Sequence, residues 1–161
     1  MSLSAVIECR PVKDFSDPLL DKVENTYNDS FPEAERRAFS LVRELVKDEP
    51  RFTVYTLFKD QVYAGFITAW SFGTFIYVEH FAIDASARNG GMKQFMALCD
   101  APVVLEVEMP TEEMSKRRIG FYERLGYVLD DHVYFQPPYR QGEPLLEMRL
   151  MTYGAIDLKQ S

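Results

Sequence analysis

The stretch from residue 75 to residue 108 constrains this chain more than any other. An aromatic, β-branched run ends in Phe81-Ala82-Ile83, a short polar loop covers Asp84 to Asn89, and Gly90-Gly91 follows. Met92, Phe95, Met96 and Cys99 then recur at helical spacing before the apolar run of residues 103–108. Strand, helix and strand joined this way form a crossover unit, which predicts two parallel strands in one sheet. Two more strand runs, 51–59 and 62–70, precede it, with Ser71-Phe72-Gly73-Thr74 as the turn into residue 75, so the sheet begins as an antiparallel meander. The expected fold class is α/β of the mixed α+β kind: a central, mostly antiparallel sheet with one parallel βαβ unit and flanking helices.

The remaining segments fit around this frame. Residues 5–11 read as a strand and residues 15–30 as a polar, weakly periodic helix. Ser30 followed by Glu33 resembles a capping box, and Ala38, Leu41, Val42, Leu45 and Val46 predict a second helix over 32–47. Pro110, Glu112 and Glu113 open another helix that ends near Gly126. Strands at 127–135 and 145–153 flank the turn-rich residues 136–144. One domain over residues 1–161 accommodates all of it.

Charge and cysteine usage exclude several classes of partner. With 18 basic against 25 acidic residues the chain carries a net charge of −7, which argues against a nucleic-acid or anionic-membrane surface. The uncharged residues 61–78 approach membrane-spanning length but are broken by Gln61, Thr68, Ser71, Gly73 and Thr74, and read as a hairpin. Cys9 and Cys99 form neither a disulfide framework nor a metal-ligand spacing, so no metal is expected. The opening residues show no basic leader followed by an apolar core, and the expected location is cytoplasmic.

Two segments carry the chemistry. Arg88-Asn89-Gly90-Gly91-Met92-Lys93 stands between a strand end and a helix start, where free N–H groups and the helix dipole bind anions; the same residues also read as a left-handed turn. The second segment, residues 119–127, places Tyr122 inside a helix and Gly126 just past its end, which also fits an amphipathic tyrosine and a plain C-cap. Glu106 and Glu108 lie two apart on one face of an apolar strand, so they stand near its open end. Glu79 sits three residues before Ala82; His80 would face the other side of a regular strand and reads as a packed histidine. Tyr27, Phe31, Tyr55, Trp70 and Tyr139 are candidates for a pocket wall, although such aromatics more often belong to a core.

In this order and spacing the two segments resemble the GNAT superfamily of acetyl-CoA-dependent N-acyltransferases, over about residues 52–127. Arg88 and Gly91 match the family's phosphate loop, and Tyr122 matches its helical tyrosine; Lys93 and Ser115 depart from its usual small residue and asparagine. Phe31-Pro32-Glu33-Ala34-Glu35-Arg36-Arg37 and the C-terminal Tyr134-Phe135-Gln136-Pro137-Pro138-Tyr139 further resemble a bacterial subgroup of unassigned acceptor. The resemblance implies acetyl-CoA as cosubstrate, held by Phe81, Ala82, Ile83, Arg88, Asn89, Gly90, Gly91, Met92, Lys93 and Ser115. It implies Tyr122 as the acid that protonates the leaving thiolate, Glu79 as the base that frees the amine, and a bulge near residues 81–83 whose N–H meets the oxyanion. Phe31, Glu106 and Glu108 would line the acceptor side.

The expected function is transfer of acetyl from acetyl-CoA to a primary amine of a small molecule or peptide by direct attack. A cationic acceptor suits the acidic cleft. The alternative is a catalytically silent acyl-CoA-binding sensor or interaction module, supported by Lys93 and Ser115. A dinucleotide-binding reading lacks GxGxxG. An edge strand of the C-terminal hairpin could pair between subunits, so monomer and homodimer both stand.

Overall fold

The computed structural model describes residues 6–12, 14–139 and 142–154. Ala5, expected to open the first strand, and Arg140 and Gln141 of the turn-rich segment lie outside the described residues. Among the described residues eight strands form one sheet: β1 (Ile7–Pro11), β2 (Phe52–Lys59), β3 (Val62–Ser71), β4 (Ile76–Ile83), β5 (Val103–Glu108), β6 (Val128–Leu129), β7 (Tyr134–Gln136) and β8 (Leu146–Tyr153). Their order is β1-β2-β3-β4-β5-β8-β6, with β7 also paired to β8. All pairs are antiparallel except β4 with β5, which is the expected mixed sheet with one parallel βαβ unit.

Helices cover both faces. The strands alternate side chains between the two faces, so each face has its own core. On one face α3 (Arg88–Leu98) and α4 (Glu113–Arg124) bring Met92, Phe95 and Ile119 against Leu57, Ile67, Val78, Val103, Leu105 and Met151. On the other, α1 (Leu19–Ser30) and α2 (Phe39–Asp48) bring Leu20, Val23, Tyr27, Phe39 and Val42 against Phe52, Val54 and Phe66.

Three local expectations are corrected. Ser30 is the last residue of α1 rather than the cap of the next helix, and α2 begins only at Phe39. Residues 31–38 instead form a connection with one 3-10 turn, Glu33–Glu35, in which Arg36 Nε donates to the Phe31 carbonyl (2.9 Å), the Arg37 N–H to the Tyr27 hydroxyl (2.8 Å), and His80 Nε2 to the Glu35 carbonyl (2.9 Å). The expected strand 127–135 is two short ones, because the Asp130 carboxylate accepts the His132 N–H (2.9 Å) and turns the chain between β6 and β7.

The third correction concerns the glycine pair. Helix α3 starts at Arg88, so Gly90 and Gly91 lie within it and adopt no left-handed conformation; Lys93 falls in its second turn, not its first. A Cβ on Gly90 would stand 2.9 Å from Ile7 Cγ1, and one on Gly91 would stand 2.7 Å from Ile83 Cδ1. The pair therefore lets α3 lie close against β1 and β4, which sets its N-terminus at the end of β4. Gly126 behaves as expected: at φ +101° it ends α4, and Tyr127 N–H returns to the Tyr122 carbonyl (3.1 Å).

Candidate active site

Strands β4 and β5 pair over three residues only, Ile76 with Val103, Tyr77 with Val104 and Val78 with Leu105. Beyond Val78 they diverge, and the first residue past the last pair on each strand is a carboxylate: Glu79 on β4 and Glu106 on β5. The divergence opens a gap between β4 and β5 through which a ligand on one face of the sheet can reach a ligand on the other. Main-chain groups of residues 79–83 on the β5 side have no partner strand there, so alternate N–H groups are open to a ligand.

A bulge fixes how the fork presents its side chains. Thr68 pairs with His80 and Ala69 with Val78, which leaves Glu79 as the extra residue. The bulge is thus at Glu79 and not at residues 81–83. It also places His80 on the α1/α2 face together with Glu79, against the alternation of a regular strand. His80 is buried between the rings of Tyr27 (4.9 Å) and Phe31 (4.7 Å), and burial lowers its pKa, so it stays neutral, a packed histidine as read from the sequence.

Every oxygen of Glu79 is engaged. Oε2 accepts from the Arg37 guanidinium and from the Tyr139 hydroxyl (3.0 Å), and Oε1 from Trp70 Nε1 (3.0 Å). Burial works to raise its pKa, but the Arg37 charge and these donors overcome it and hold the carboxyl below the usual range. Glu106 is the opposite case. Its Oε1 accepts from the Tyr77 hydroxyl, while Oε2 is buried with no hydrogen-bond partner among the described residues. Burial pushes its pKa up to about 7; the side chains of Tyr134 and Gln136 stand close enough to oppose the shift but neither is aligned as a donor to Oε2. A carboxylate that titrates near neutrality with a vacant oxygen is suited to accept a proton.

Glu108 lies one step further along β5. It accepts from Ser115 Oγ (3.4 Å) and pairs with Arg118 (3.3 Å), so the buried Ser115 hydroxyl in the first turn of α4 is tied to β5. Glu35 approaches from the connection before α2; burial and then the Glu108 charge raise its pKa. Acidic groups therefore gather on the α1/α2 side of the fork, where half-buried Phe31 packs on His80 (4.7 Å).

The α3/α4 face carries the other half of the site. Phe81 packs on Phe121 and Ile83 on Gly91, whereas Ala82 turns to the α1/α2 core. The N-terminus of α3 has no side-chain cap, and Arg88 and Asn89 are exposed there, with Lys93 exposed one turn on; the Met92 side chain is buried in the core and leaves only its main chain to a ligand. A short 3-10 turn, Ala85–Ala87, runs directly into α3 and its Ala85 carbonyl takes the Arg88 N–H, so what this end offers an anion is the positive end of the helix dipole with the exposed Arg88 and Lys93 side chains. Tyr122 packs on Phe121 (5.1 Å) and Tyr127 (5.5 Å). Burial pushes its hydroxyl up to about 12, with Arg118 and Arg88 close enough to pull the other way.

One solved relative is decisive. A protein assigned to the acetyltransferases of the GNAT family, from Bacteroides thetaiotaomicron, is 40% identical, with 95% of this chain and 90% of that one covered and a TM-score of 0.87. This chain belongs to the GNAT family of acetyltransferases. Two more distant GNAT-like folds are the ribosomal-protein-S18-alanine N-acetyltransferase of Escherichia coli (15% identity, 92% and 93% covered, TM-score 0.60) and NAA50 of Arabidopsis thaliana in complex with the bisubstrate analogue CoA-Ac-MVNAL (12%, 92% and 99%, 0.63). No family model matches the sequence, and a search of the curated proteins finds no match.

Within the GNAT frame the sequence reading missed several site residues. Tyr77 beside Glu106 carried no motif, Tyr134 and Gln136 were visible only as part of the Tyr134 to Tyr139 stretch, and Arg37 only as part of the Phe31 to Arg37 stretch. Of the aromatic candidates, Trp70 and Tyr139 reach Glu79, Tyr27 is fully buried core, and Tyr55 packs on Phe95 (5.1 Å) far from the fork. Tyr55 instead lines a groove of about 630 Å³ with Cys9, Pro11, Phe52 and Leu98. No group of ligands for a metal ion occurs among the described residues, and no described helix is long and apolar enough to cross a membrane.

Proposed function

We propose that this GNAT protein transfers acetyl from acetyl-CoA to a primary amine by direct attack, with the thioester entering from the α3/α4 face and the amine from the α1/α2 face. The carrying observation is the fork after Val78 and Leu105, flanked by two carboxylates. The fold's residues fit the cosubstrate: an uncapped helix start for the pyrophosphate, formed by Arg88 to Met92 with Lys93 one turn on, and the unpaired main chain of Phe81 to Ile83 for the pantetheine arm. Bound there, acetyl-CoA supplies the activated acyl group. The free N–H groups at the bulge end of β4 stabilise the negative oxygen that develops on the carbonyl.

An amine with a pKa near 10 arrives as a cation and must lose a proton before it attacks. Glu106 takes that proton, directly or through water, because it alone among the fork carboxylates has a vacant oxygen. Glu79, the residue suggested by the family resemblance, is less able to do so while three donors hold it. Tyr122 donates its proton to the departing thiolate. The acidic surroundings favour a cationic acceptor, either a small amine or the free amino end of a peptide, and the cytosol supplies both with acetyl-CoA.

The test is release of coenzyme A thiol from acetyl-CoA in the presence of a polyamine, an amino sugar, a lysine derivative and short peptides with free amino ends. Acceptor-dependent release with at least one, and an acetylated amine by mass spectrometry, supports the reading. Binding of acetyl-CoA without transfer to any of these acceptors favours the silent module.

A further inference from the structure

We infer that Glu79 is a positioning residue: it clamps the connection between α1 and α2 to the connection between β7 and β8 across the acceptor side of the fork, and takes no proton from the acceptor. The kinetic arm of this inference rests on the proposed acetyl transfer. Arg37 belongs to the first connection and Tyr139 to the second, and neither connection is part of the sheet. Both donate to the same oxygen, Glu79 Oε2. The Arg37 guanidinium also lies over the Tyr139 ring, 5.1 Å from its centroid, and that ring stands 5.7 Å from His80. His80 in turn donates to the Glu35 carbonyl, so the first connection is tied to β4 at two points.

The Glu79 side chain is only 4% exposed, and with Trp70 on Oε1 no oxygen is left to face an amine. A base must present to the proton it removes a lone pair that no fixed donor already holds. What Glu79 does present is a fixed anchor at the bulge, where its one carboxylate oxygen holds a donor from each connection. The acceptor wall, including Phe31 and Tyr139, is thereby set against the fork before substrate arrives, which is the condition for productive geometry.

Three variants and two readouts test the inference. Glu79→Gln and Arg37→Met are expected to raise the acceptor KM on the order of tenfold while kcat changes only a few fold, a split that marks lost binding geometry rather than lost chemistry. Acetyl-CoA affinity and the acidic limb of the pH profile stay as in the wild type. The double variant is no worse than the poorer single one, since both break the same clamp. A fall of about 100-fold in kcat for Glu79→Gln at unchanged KM, with the acidic limb gone, would make Glu79 the base and overturn the inference.

The second readout needs no acceptor, so it separates failure of the clamp from failure of the transferase reading. Trp70 is the single tryptophan and is bonded to Glu79, so its fluorescence reports the clamp directly. Arg37→Met is expected to shift its emission to the red and to increase quenching by acrylamide. Unchanged emission and quenching would overturn the clamp whatever the kinetics show. Should Arg37→Met fail to fold, Tyr139→Phe, which removes one hydroxyl and keeps the ring, gives the same fluorescence comparison.

Discussion

Replacing Tyr122 by Phe lowers kcat on the order of 10²- to 10³-fold and leaves acetyl-CoA affinity within a factor of about two, the pattern expected when a positioned acid is removed. The ring contacts with Phe121 and Tyr127 survive the change, so only the proton donor is lost. Burial keeps the phenol protonated to about pH 12, so it carries its proton at every working pH. A thiolate whose thiol has a pKa near 8.5 takes up a proton at neutral pH, and the Tyr122 hydroxyl, near enough to Arg88 and Arg118 to feel their charge, is the group proposed to supply it as the bond breaks. Steady-state kinetics with the best acceptor, together with calorimetric titration of acetyl-CoA, checks both halves. Unchanged turnover removes Tyr122 from the chemistry.

Glu106→Gln has two expected effects of opposite sense. Turnover falls on the order of 100-fold and the acidic limb of the pH profile, centred near pH 7, disappears, because the amide cannot accept the amine proton. Stability moves the other way. The folded-state pKa is raised from 4.5 to about 7, so below pH 4.5 the group is protonated in both states and contributes nothing. Between those values the unfolded chain ionises while the folded one holds its proton, and the folded state loses relative stability as pH rises, up to a plateau above pH 7. The full shift corresponds to about 3 kcal/mol. Glutamine escapes this cost and can still accept from Tyr77. Denaturant unfolding at pH 8 is therefore expected to show the variant more stable than the wild type by up to that amount, with the difference gone near pH 4. A variant that is less stable at pH 8, or as active as the wild type, contradicts the assignment.

The site was only partly legible in the sequence. The crossover unit, the uncapped helix after Ile83 and the glycine after Arg124 are local signals, written in neighbouring residues. Glu106 and Glu108 also announced themselves, because charges on an apolar strand must stand at its open end. The bulge at Glu79 has no such signature: Tyr77-Val78-Glu79-His80-Phe81 reads as one regular strand, and the extra residue shows only in the register with Thr68 and Ala69. His80 was accordingly placed on the wrong face.

Longer-range choices were hidden for a related reason. Arg37 and Glu79 are 42 positions apart, and Tyr139 is 60 from Glu79, so no spacing rule connects them. The bonds from Arg37 to Tyr27 and from His80 to Glu35 fix residues 31–38 as a connection with a single 3-10 turn and defeat the longer helix expected there, even though Ser30 and Glu33 offered a plausible cap. At the glycine pair the sequence suggested backbone approach to phosphate, whereas both glycines pack α3 onto Ile7 and Ile83. That packing still delivers the helix end to the fork.

Thermal unfolding of the purified protein alone and with acetyl-CoA, coenzyme A or NAD tests the central claim most directly. A ligand at 100 times its dissociation constant adds about 2.7 kcal/mol, which for a chain of this size raises Tm by roughly 5–10 °C. The account predicts that rise with acetyl-CoA and with coenzyme A, in the wild type and in Tyr122→Phe alike, and none with NAD. No response to either coenzyme A species would contradict it, since the fork and the start of α3 would then hold no acyl donor.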